Sequence, residues 1–163
     1  MRSARPAHAR RVRAALVLAA AVLLAVAAFG LPARHGPILR ADPVRTPGVV
    51  NPEVTQADIG QTICVQGWTR TIRPATSYTA ELKIRQMREY GVGGSPADYQ
   101  EDHLISLELG GHPTDPRNLW PEPIERARKV DETENELNRK VCSGELSLAE
   151  AQRKESALKH TDG

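Results

Sequence analysis

The chain has 163 residues and a formal net charge of +2, from 22 Lys and Arg residues against 20 Asp and Glu residues. This length suits one domain with a terminal appendage, and it excludes a short peptide or an array of domains. The aromatic residues are two Trp, three Tyr and one Phe, so the hydrophobic core must be small.

The N-terminal residues have the pattern of a secretory leader. Residues 1–13 contain five arginines and no acidic residue, and the 16 residues 14–29 are uninterruptedly apolar. A basic segment, an apolar segment and small residues near Ala27 predict a signal peptide within residues 1–33. The alternative is an uncleaved membrane anchor, since a helix of that length measures about 24 Å against a bilayer core of about 30 Å. Both alternatives predict an extracytoplasmic chain, either secreted or anchored in the membrane through residues 14–29.

Removing the leader reverses the charge balance. Five of the 22 basic residues and none of the 20 acidic residues lie in the first 27 positions, so the remainder is slightly acidic. The whole-chain charge therefore does not indicate nucleic-acid binding. One local segment does remain basic, and it includes Arg70, Arg73 and Lys83. Such a segment suits contact with phosphates, although a solvated helix face has the same composition.

The sequence between the leader and the domain is rich in proline. Prolines recur through residues 34–52 with little hydrophobic periodicity, which predicts a flexible or polyproline-II-like spacer. The folded domain is then expected to cover residues 53–163.

Within that domain the patterns predict a small α+β fold. Short β-branched or alternating runs predict strands over 62–65 and 99–109. Capping residues, breakers and helical periodicity predict helices over 78–90, 123–141 and 147–158. We expect the last of these helices to contribute packing only.

The helix predicted over 123–141 has a charged residue on its apolar face. Ala127, Val130, Leu137 and Val141 lie in one narrow sector at about 100° per residue, and Glu134 lies in the same sector. A buried carboxylate costs several kcal/mol unless it is paired with, or bound to, a cation. Glu134 is therefore predicted to have a cationic partner.

Two cysteines, Cys64 and Cys142, are present. In an exported chain an even number of cysteines favours a disulfide, and the alternative is two separate buried thiols. A disulfide closing so long a loop is worth about 4 kcal/mol on the chain-entropy estimate.

Residues 99–123 carry the sequence's clearest motif. Asp102-His103 precedes an apolar run, Gly110-Gly111 ends that run, and Asn118-Leu119-Trp120 follows a proline-rich loop. This pattern resembles the HNH, or His-Me finger, endonuclease family, in the form found in small exported bacterial proteins. The resemblance extends over roughly residues 50–155.

The resemblance implies a ββα-metal core and an endonuclease that uses a divalent metal ion, Mg²⁺ or Mn²⁺, with Zn²⁺ as a further option. It assigns His103 to water activation, Asp102 to metal binding, and Asn118 to holding the loop and orienting the histidine. The family takes its last metal ligand from the following helix, where this sequence has no His. Asp131 and Glu134 are the candidates there.

The chemistry of these residue types agrees with those roles. A neutral imidazole, with an ordinary pKa near 6.5, suits a general base, and carboxylates suit hard divalent cations. Regular strand alternation, however, sends Asp102 and His103 to opposite faces. Both can serve one site only at a strand end or a distorted edge.

The expected macromolecular partner is nucleic acid, DNA rather than RNA. The candidate phosphate-binding residues are Arg70, Arg73, Lys83 and Arg117, although Arg117 has Asp115 nearby as an alternative partner. A second hypothesis is a non-catalytic exported module that keeps the HNH-like frame and binds nucleic acid or a cell-surface partner. The absence of a helix histidine and the acidic balance of the mature chain favour this second hypothesis.

Overall fold

The computed structural model describes residues 40–161, and the leader predicted over residues 1–33 lies outside this range. The described elements combine helices with one small sheet, which confirms the α+β class. The α-helices in this range are α1 (Trp68–Ile72), α2 (Thr76–Glu89), α3 (Ile124–Cys142) and α4 (Leu148–Lys159), and the strands are β1 (Tyr99–His103) and β2 (Leu119–Pro123). Of the described helices, none has the length and apolar character needed to cross a membrane.

The sheet consists of β1 and β2, which pair antiparallel with His103 opposite Leu119 and Tyr99 opposite Pro123. β2 leads directly into α3, so the chain runs strand, loop, strand, helix through the motif region. Both α2 and α3 pack against the two strands, and α4 packs against α3. The predicted helices are present within two residues of their expected ends.

The core confirms two sequence predictions about α3. Its buried residues are Ala127, Val130, Glu134, Leu137 and Val141, which is the predicted stripe with the carboxylate inside it. Cys64 and Cys142 form a disulfide with a Cα–Cα distance of 5.6 Å, which ties the end of α3 to the segment before α1. Trp120 is fully buried, beside Leu104 and Ala41.

The strand predicted over residues 62–65 is wrong. These residues form turns between a 3₁₀ turn (Ile59–Gln61) and α1. The amide of Cys64 donates to the carbonyl of Ile59, and the amide of Val65 donates to the carbonyl of Thr62. The β-branched residues have no neighbouring strand to pair with, so the backbone satisfies its hydrogen bonds locally.

The strand predicted over residues 99–109 is correct only as far as His103, where β1 ends. Beyond it, the amide of Ile105 donates to the side chain of Asn118, and the amide of Ser106 donates to the Glu155 carboxylate. Side chains thus replace the next strand's backbone as partners. Leu104, Ile105 and Ser106 are all buried. The alternation of apolar and polar residues in this run therefore does not correspond to a strand with one buried and one exposed face.

The described part of the predicted spacer, residues 40–52, packs against the domain. Ala41, Thr46 and Asn51 are buried, and Val50 forms an isolated bridge with Gly111. The hydroxyl of Tyr90 lies 2.7 Å from that of Thr46. Prolines here shape a segment that makes specific tertiary contacts, so the folded domain begins earlier than the sequence predicted.

Candidate functional site

The Gly-Gly turn folds the loop between the strands back onto itself. Gly110 has φ 74°, a left-handed conformation that favours glycine. A Cβ on Gly111 would lie 1.7 Å from the carbonyl oxygen of Ile105 and 2.8 Å from the amide nitrogen of the Asn118 side chain. Both glycines are therefore required by backbone geometry, and they bring the loop within reach of Asn118.

Asn118 clamps this loop from inside. Its Oδ1 accepts from the amides of Ile105 at 3.0 Å and Val49 at 3.3 Å. Its Nδ2 donates to the carbonyls of Ile105 and His112, each at 3.0 Å. The residue is fully buried; its two bonds to Ile105 are shielded from water, and those to Val49 and His112 are partly buried. These contacts hold the loop, which is part of the role that the family resemblance implies for this residue.

His103 stands at the end of β1 and is held by the clamped loop. Its Nε2 lies 3.0 Å from the carbonyl oxygen of Pro113, the residue after His112. A carbonyl only accepts, so Nε2 carries the proton and Nδ1 of the neutral ring is the acceptor. Burial lowers the pKa of His103 below its usual value, although the Pro113 carbonyl and the charge of Asp102 act in the opposite direction. The imidazole is thus neutral at pH 7.

Asp102 points away from His103 and is bound to a lysine. Its Oδ2 lies 2.7 Å from Nζ of Lys159, and its Oδ1 accepts from the side-chain amide of Gln100 at 3.2 Å. Burial is the largest single influence and opposes ionisation of this carboxyl, but the charge of Lys159 and the hydrogen bonds from Glu122 and Lys159 together lower its pKa. Asp102 is therefore an ionised carboxylate that already has a cation.

Lys159, at the end of α4, is the centre of a buried charge cluster. The residue is fully buried, and its Nζ lies 2.6 Å from Oε1 of Glu134 and 3.6 Å from Oε1 of Glu155. Nζ also donates to the backbone carbonyl of His103 at 2.5 Å. Lys159 is thus the cationic partner that the sequence predicted for Glu134.

The sequence interpretation missed Lys159 and Glu155, because it assigned the last helix to packing alone. Both residues are buried on the same helix as Leu148 and Ala151. Their spacing of four places them on one face of a helix, one turn apart. The signal that singled out Glu134, a charge at an apolar-face position, was also present in this helix.

A second buried ion pair adjoins the cluster. Glu122 on β2 is fully buried and pairs with Arg126 on α3, whose guanidinium also lies 5.3 Å from the centre of the Trp120 ring. Burial and the charge of Asp102 raise the pKa of Glu122 to about 9. Burial likewise raises the pKa of Glu155 well above its usual value. The cluster thus holds more carboxyl groups than its cations balance, and some of these groups stay protonated at neutral pH.

An acidic pocket of about 230 Å³ opens beside this cluster. Its lining includes Arg73, Glu108, Asp131 and Glu134. Burial, followed by the charges of Glu134 and Asp131, raises the pKa of Glu108 to about 7. Asp131 is an exposed residue at this pocket, and burial followed by the charge of Asp102 raises its pKa.

The predicted phosphate-binding residues have different surroundings. Arg73 lines the acidic pocket, and Arg70 is exposed on α1. Lys83 donates to the carbonyl of Tyr99 at 2.7 Å. Arg117 forms a two-pronged pair with Asp115, at 3.0 and 2.6 Å, which is the alternative that the sequence left open for it. Of these four cations, the pocket lining includes Arg73 alone.

The predicted metal ligands do not form a metal site. Across residues 40–161, no three His, Cys, Asp or Glu side chains are placed to hold a metal ion. Asp102 and Glu134 both bind the ammonium of Lys159, so their oxygens do not fit a divalent ion in this arrangement. Asp131 lines the neighbouring pocket.

We compared the chain with protein-family models, curated proteins and solved structures, and none of them matches it. Its function therefore rests on the residues described above.

Proposed function

We propose that this chain is an exported nuclease of the HNH type that hydrolyses phosphodiester bonds of nucleic acid, with His103 as the general base. The observation that carries the proposal is the position of the imidazole at the end of β1, held through Nε2 by the Pro113 carbonyl, and burial lowers its pKa. With its proton on Nε2, the ring can accept a proton from water through Nδ1. The residue is 6 % exposed, so burial keeps it neutral.

Asn118 acts as a positioning residue in this proposal. It binds the carbonyl of His112, and the next residue, Pro113, supplies the carbonyl that holds His103. Because these two carbonyls belong to consecutive residues, Asn118 fixes the position of the carbonyl that holds the imidazole. Arg73, at the edge of the acidic pocket, is the cation best placed to meet a phosphate of the substrate, for which we propose DNA.

The proposal includes no step through a metal ion. The family resemblance implies Mg²⁺ or Mn²⁺, but the oxygens of Asp102 and Glu134 are bound to Lys159. What this chain's own residues supply is the proton acceptor, His103, and the loop that orients it. The nuclease assay must therefore be run both with and without a divalent ion.

A second candidate function is a non-catalytic module that binds nucleic acid or a cell-surface partner. The observation that favours it is the salt bridge between Asp102 and Lys159, because it uses the carboxylate that the HNH mechanism would give to a metal. Under this hypothesis the ordered loop and Arg73 serve recognition alone.

Nicking of supercoiled plasmid DNA separates the two candidates. The purified chain and His103→Ala are assayed with Mg²⁺, with Mn²⁺, with Zn²⁺ and with a chelator. We expect nicking by the wild type and its loss in His103→Ala, with His160→Ala as a matched control on a histidine outside the site. Equal nicking by the wild type and His103→Ala rejects the nuclease proposal, and DNA binding without nicking supports the second candidate.

We also propose that the chain acts outside the cytoplasm. The disulfide between Cys64 and Cys142 supports this, because such bonds persist in oxidising compartments. N-terminal sequencing of material recovered from the culture medium tests the leader, and cleavage near residues 27–33 is the expected result. An intact N-terminus in the membrane fraction would indicate the anchored alternative.

A further inference from the structure

The ammonium of Lys159 is surrounded by oxygen atoms from three elements. Asp102 on β1 contributes Oδ2 at 2.7 Å, Glu134 on α3 contributes Oε1 at 2.6 Å, and Glu155 on α4 contributes Oε1 at 3.6 Å. The backbone carbonyl of His103 supplies a fourth oxygen at 2.5 Å. Three carboxyl groups and a carbonyl around one cation form the kind of hard-oxygen shell that divalent ions take in proteins.

We propose that the ammonium of Lys159 occupies the position between Asp102 and Glu134 that the HNH resemblance assigns to a divalent metal ion, so that this chain carries its own cation there. The inference depends on the proposed function in one respect only, which is that the position between Asp102 and Glu134 corresponds to the metal position of an HNH nuclease. It predicts that the wild-type chain does not bind a divalent ion at Asp102.

An ammonium and a divalent ion cannot share these oxygens. A bound Mg²⁺ or Mn²⁺ would lie about 2.1 Å from a carboxylate oxygen. Since Lys159 Nζ already lies within 2.7 Å of both Asp102 and Glu134, such an ion would sit beside a positive charge in a buried site. A protonated lysine has no acceptor with which to ligate the ion. The helix that carries Lys159 would have to withdraw before a metal could enter.

The cluster nevertheless has more acceptor capacity than the ammonium uses. Glu155 and Glu122 are both fully buried; Oε2 of Glu155 has no hydrogen-bond partner in the described chain, whereas Glu122 shares a hydrogen bond with Asp102. An ammonium donates three hydrogen bonds at most. Removing the charge of Lys159 while keeping its carbon stem would therefore leave an anionic pocket with free oxygens. The carboxyl groups of such a pocket can take up protons or bind a divalent ion, and added Mn²⁺ is expected to compete with protons for these oxygens.

The test compares Mn²⁺ binding by the wild type, Lys159→Met and Lys159→Met/Asp102→Asn. Methionine keeps an unbranched stem of similar length and removes the ammonium. Binding is measured by electron paramagnetic resonance of free Mn²⁺ and by the shift of the thermal midpoint on adding Mn²⁺. No substrate is present, so the result does not depend on hydrolysis. Lys154→Met, an exposed lysine on the same helix, is the matched control.

We expect no stoichiometric Mn²⁺ site in the wild type or in Lys154→Met. Lys159→Met should gain a site that raises its thermal midpoint with Mn²⁺, and Asp102→Asn should remove that gain. If Lys159→Met folds only when Mn²⁺ is added, the inference is supported as well. If it folds under neither condition, the wild-type titration decides, and the absence of a site there supports the inference.

Two results would overturn the inference. One is a wild-type Mn²⁺ site that is lost in Asp102→Asn, since the lysine would then not replace the metal. The other is a folded Lys159→Met that binds no Mn²⁺. Failure of the nuclease proposal is a separate outcome, because equal nicking by the wild type and His103→Ala leaves these titrations unaffected.

Discussion

The two neighbours Asp102 and His103 occupy opposite sides of β1 and have very different surroundings. The imidazole is held by a single backbone carbonyl, from Pro113, and faces the loop clamped by Asn118. The carboxylate faces α3 and α4 and is bound to an ammonium that two further carboxylates share. One side therefore keeps a free proton acceptor, whereas the other side has its charge neutralised.

This difference shows that two adjacent residues of one sequence motif can have unrelated surroundings. The HNH resemblance gives both residues a function in one site, but only His103 keeps surroundings that suit its assigned chemistry. Asp102 is part of a buried ionic network that joins β1 to two helices. Removing a member of that network should cost more stability than removing a contact on the His103 side.

Lys159→Met should have the largest effect on stability. Breaking a buried ion pair by removing one partner costs about 3–5 kcal/mol, because the remaining charges are left without compensation. Urea unfolding in metal-free buffer, followed by circular dichroism, measures the loss. Lys154→Met, exposed on the same helix, should change the free energy of unfolding by about 0.5 kcal/mol or less. A loss below about 1 kcal/mol in Lys159→Met would show that the network does not stabilise the fold.

Asn118→Ala should be the next most damaging change. It removes four buried hydrogen bonds and leaves the amide and carbonyl of Ile105 without their partners. Each buried group left unsatisfied costs about 1–3 kcal/mol, so for the two groups of Ile105 we expect a total loss of at least about 2 kcal/mol. The same urea experiment measures it. Asn135→Ala is the control, since Asn135 is exposed and makes one bond, to the carbonyl of Asp131. Similar losses for both asparagines would contradict the clamp.

Glu101→Gln should alter how stability depends on pH. Neither carboxylate oxygen of Glu101 has a hydrogen-bond partner in the described residues, and burial raises its pKa from 4.5 to about 8. The folded state thus binds more protons than the unfolded state between these values, and wild-type stability falls as the pH rises through this window.

Thermal midpoints at pH 5 to 9 measure this effect. The advantage of Glu101→Gln over the wild type should grow as the pH rises from 5 and be complete above about pH 8, where it should reach at least about 1 kcal/mol or roughly 4 °C. Glu81→Gln, an exposed position on α2, should leave the wild-type pH dependence unchanged. A midpoint that falls equally for all three proteins would assign the dependence to other groups.

The smallest expected effect concerns the acid limb of the activity. Since burial lowers the pKa of His103, the base stays neutral at pH values where an ordinary histidine is protonated. The acid limb of kcat/KM for nicking should therefore lie below about pH 6.5. A limb at or above that value would assign the base to another group.

The sequence predicted the parts of this fold that local patterns determine. Helical periodicity located α3 and placed Glu134 on its buried face, and the cysteine count predicted the disulfide. Predictions from composition and alternation were wrong where tertiary contacts determine the structure. The proline-rich residues 40–52 pack on the domain, and the alternating run after His103 turns away because side chains of Asn118 and Glu155 take its amides.

Within the candidate site, the motif identified the residues but not their partners. Lys159 lies 57 positions from Asp102 in the sequence, and no local pattern joins them. The resemblance implied a metal at Asp102, whereas the structure places an ammonium there. A partner so distant in sequence depends on how α4 packs, which periodicity alone does not determine.

The state of the His103 ring tests the central claim most directly. Long-range ¹H–¹⁵N NMR spectra of the imidazole, recorded across a pH titration, report both its tautomer and its pKa. The account predicts a ring with the proton on Nε2, which donates to Pro113, and a pKa below about 6.5. A ring that is charged at pH 7, or that carries its single proton on Nδ1, would contradict the claim that His103 is a fixed, neutral base.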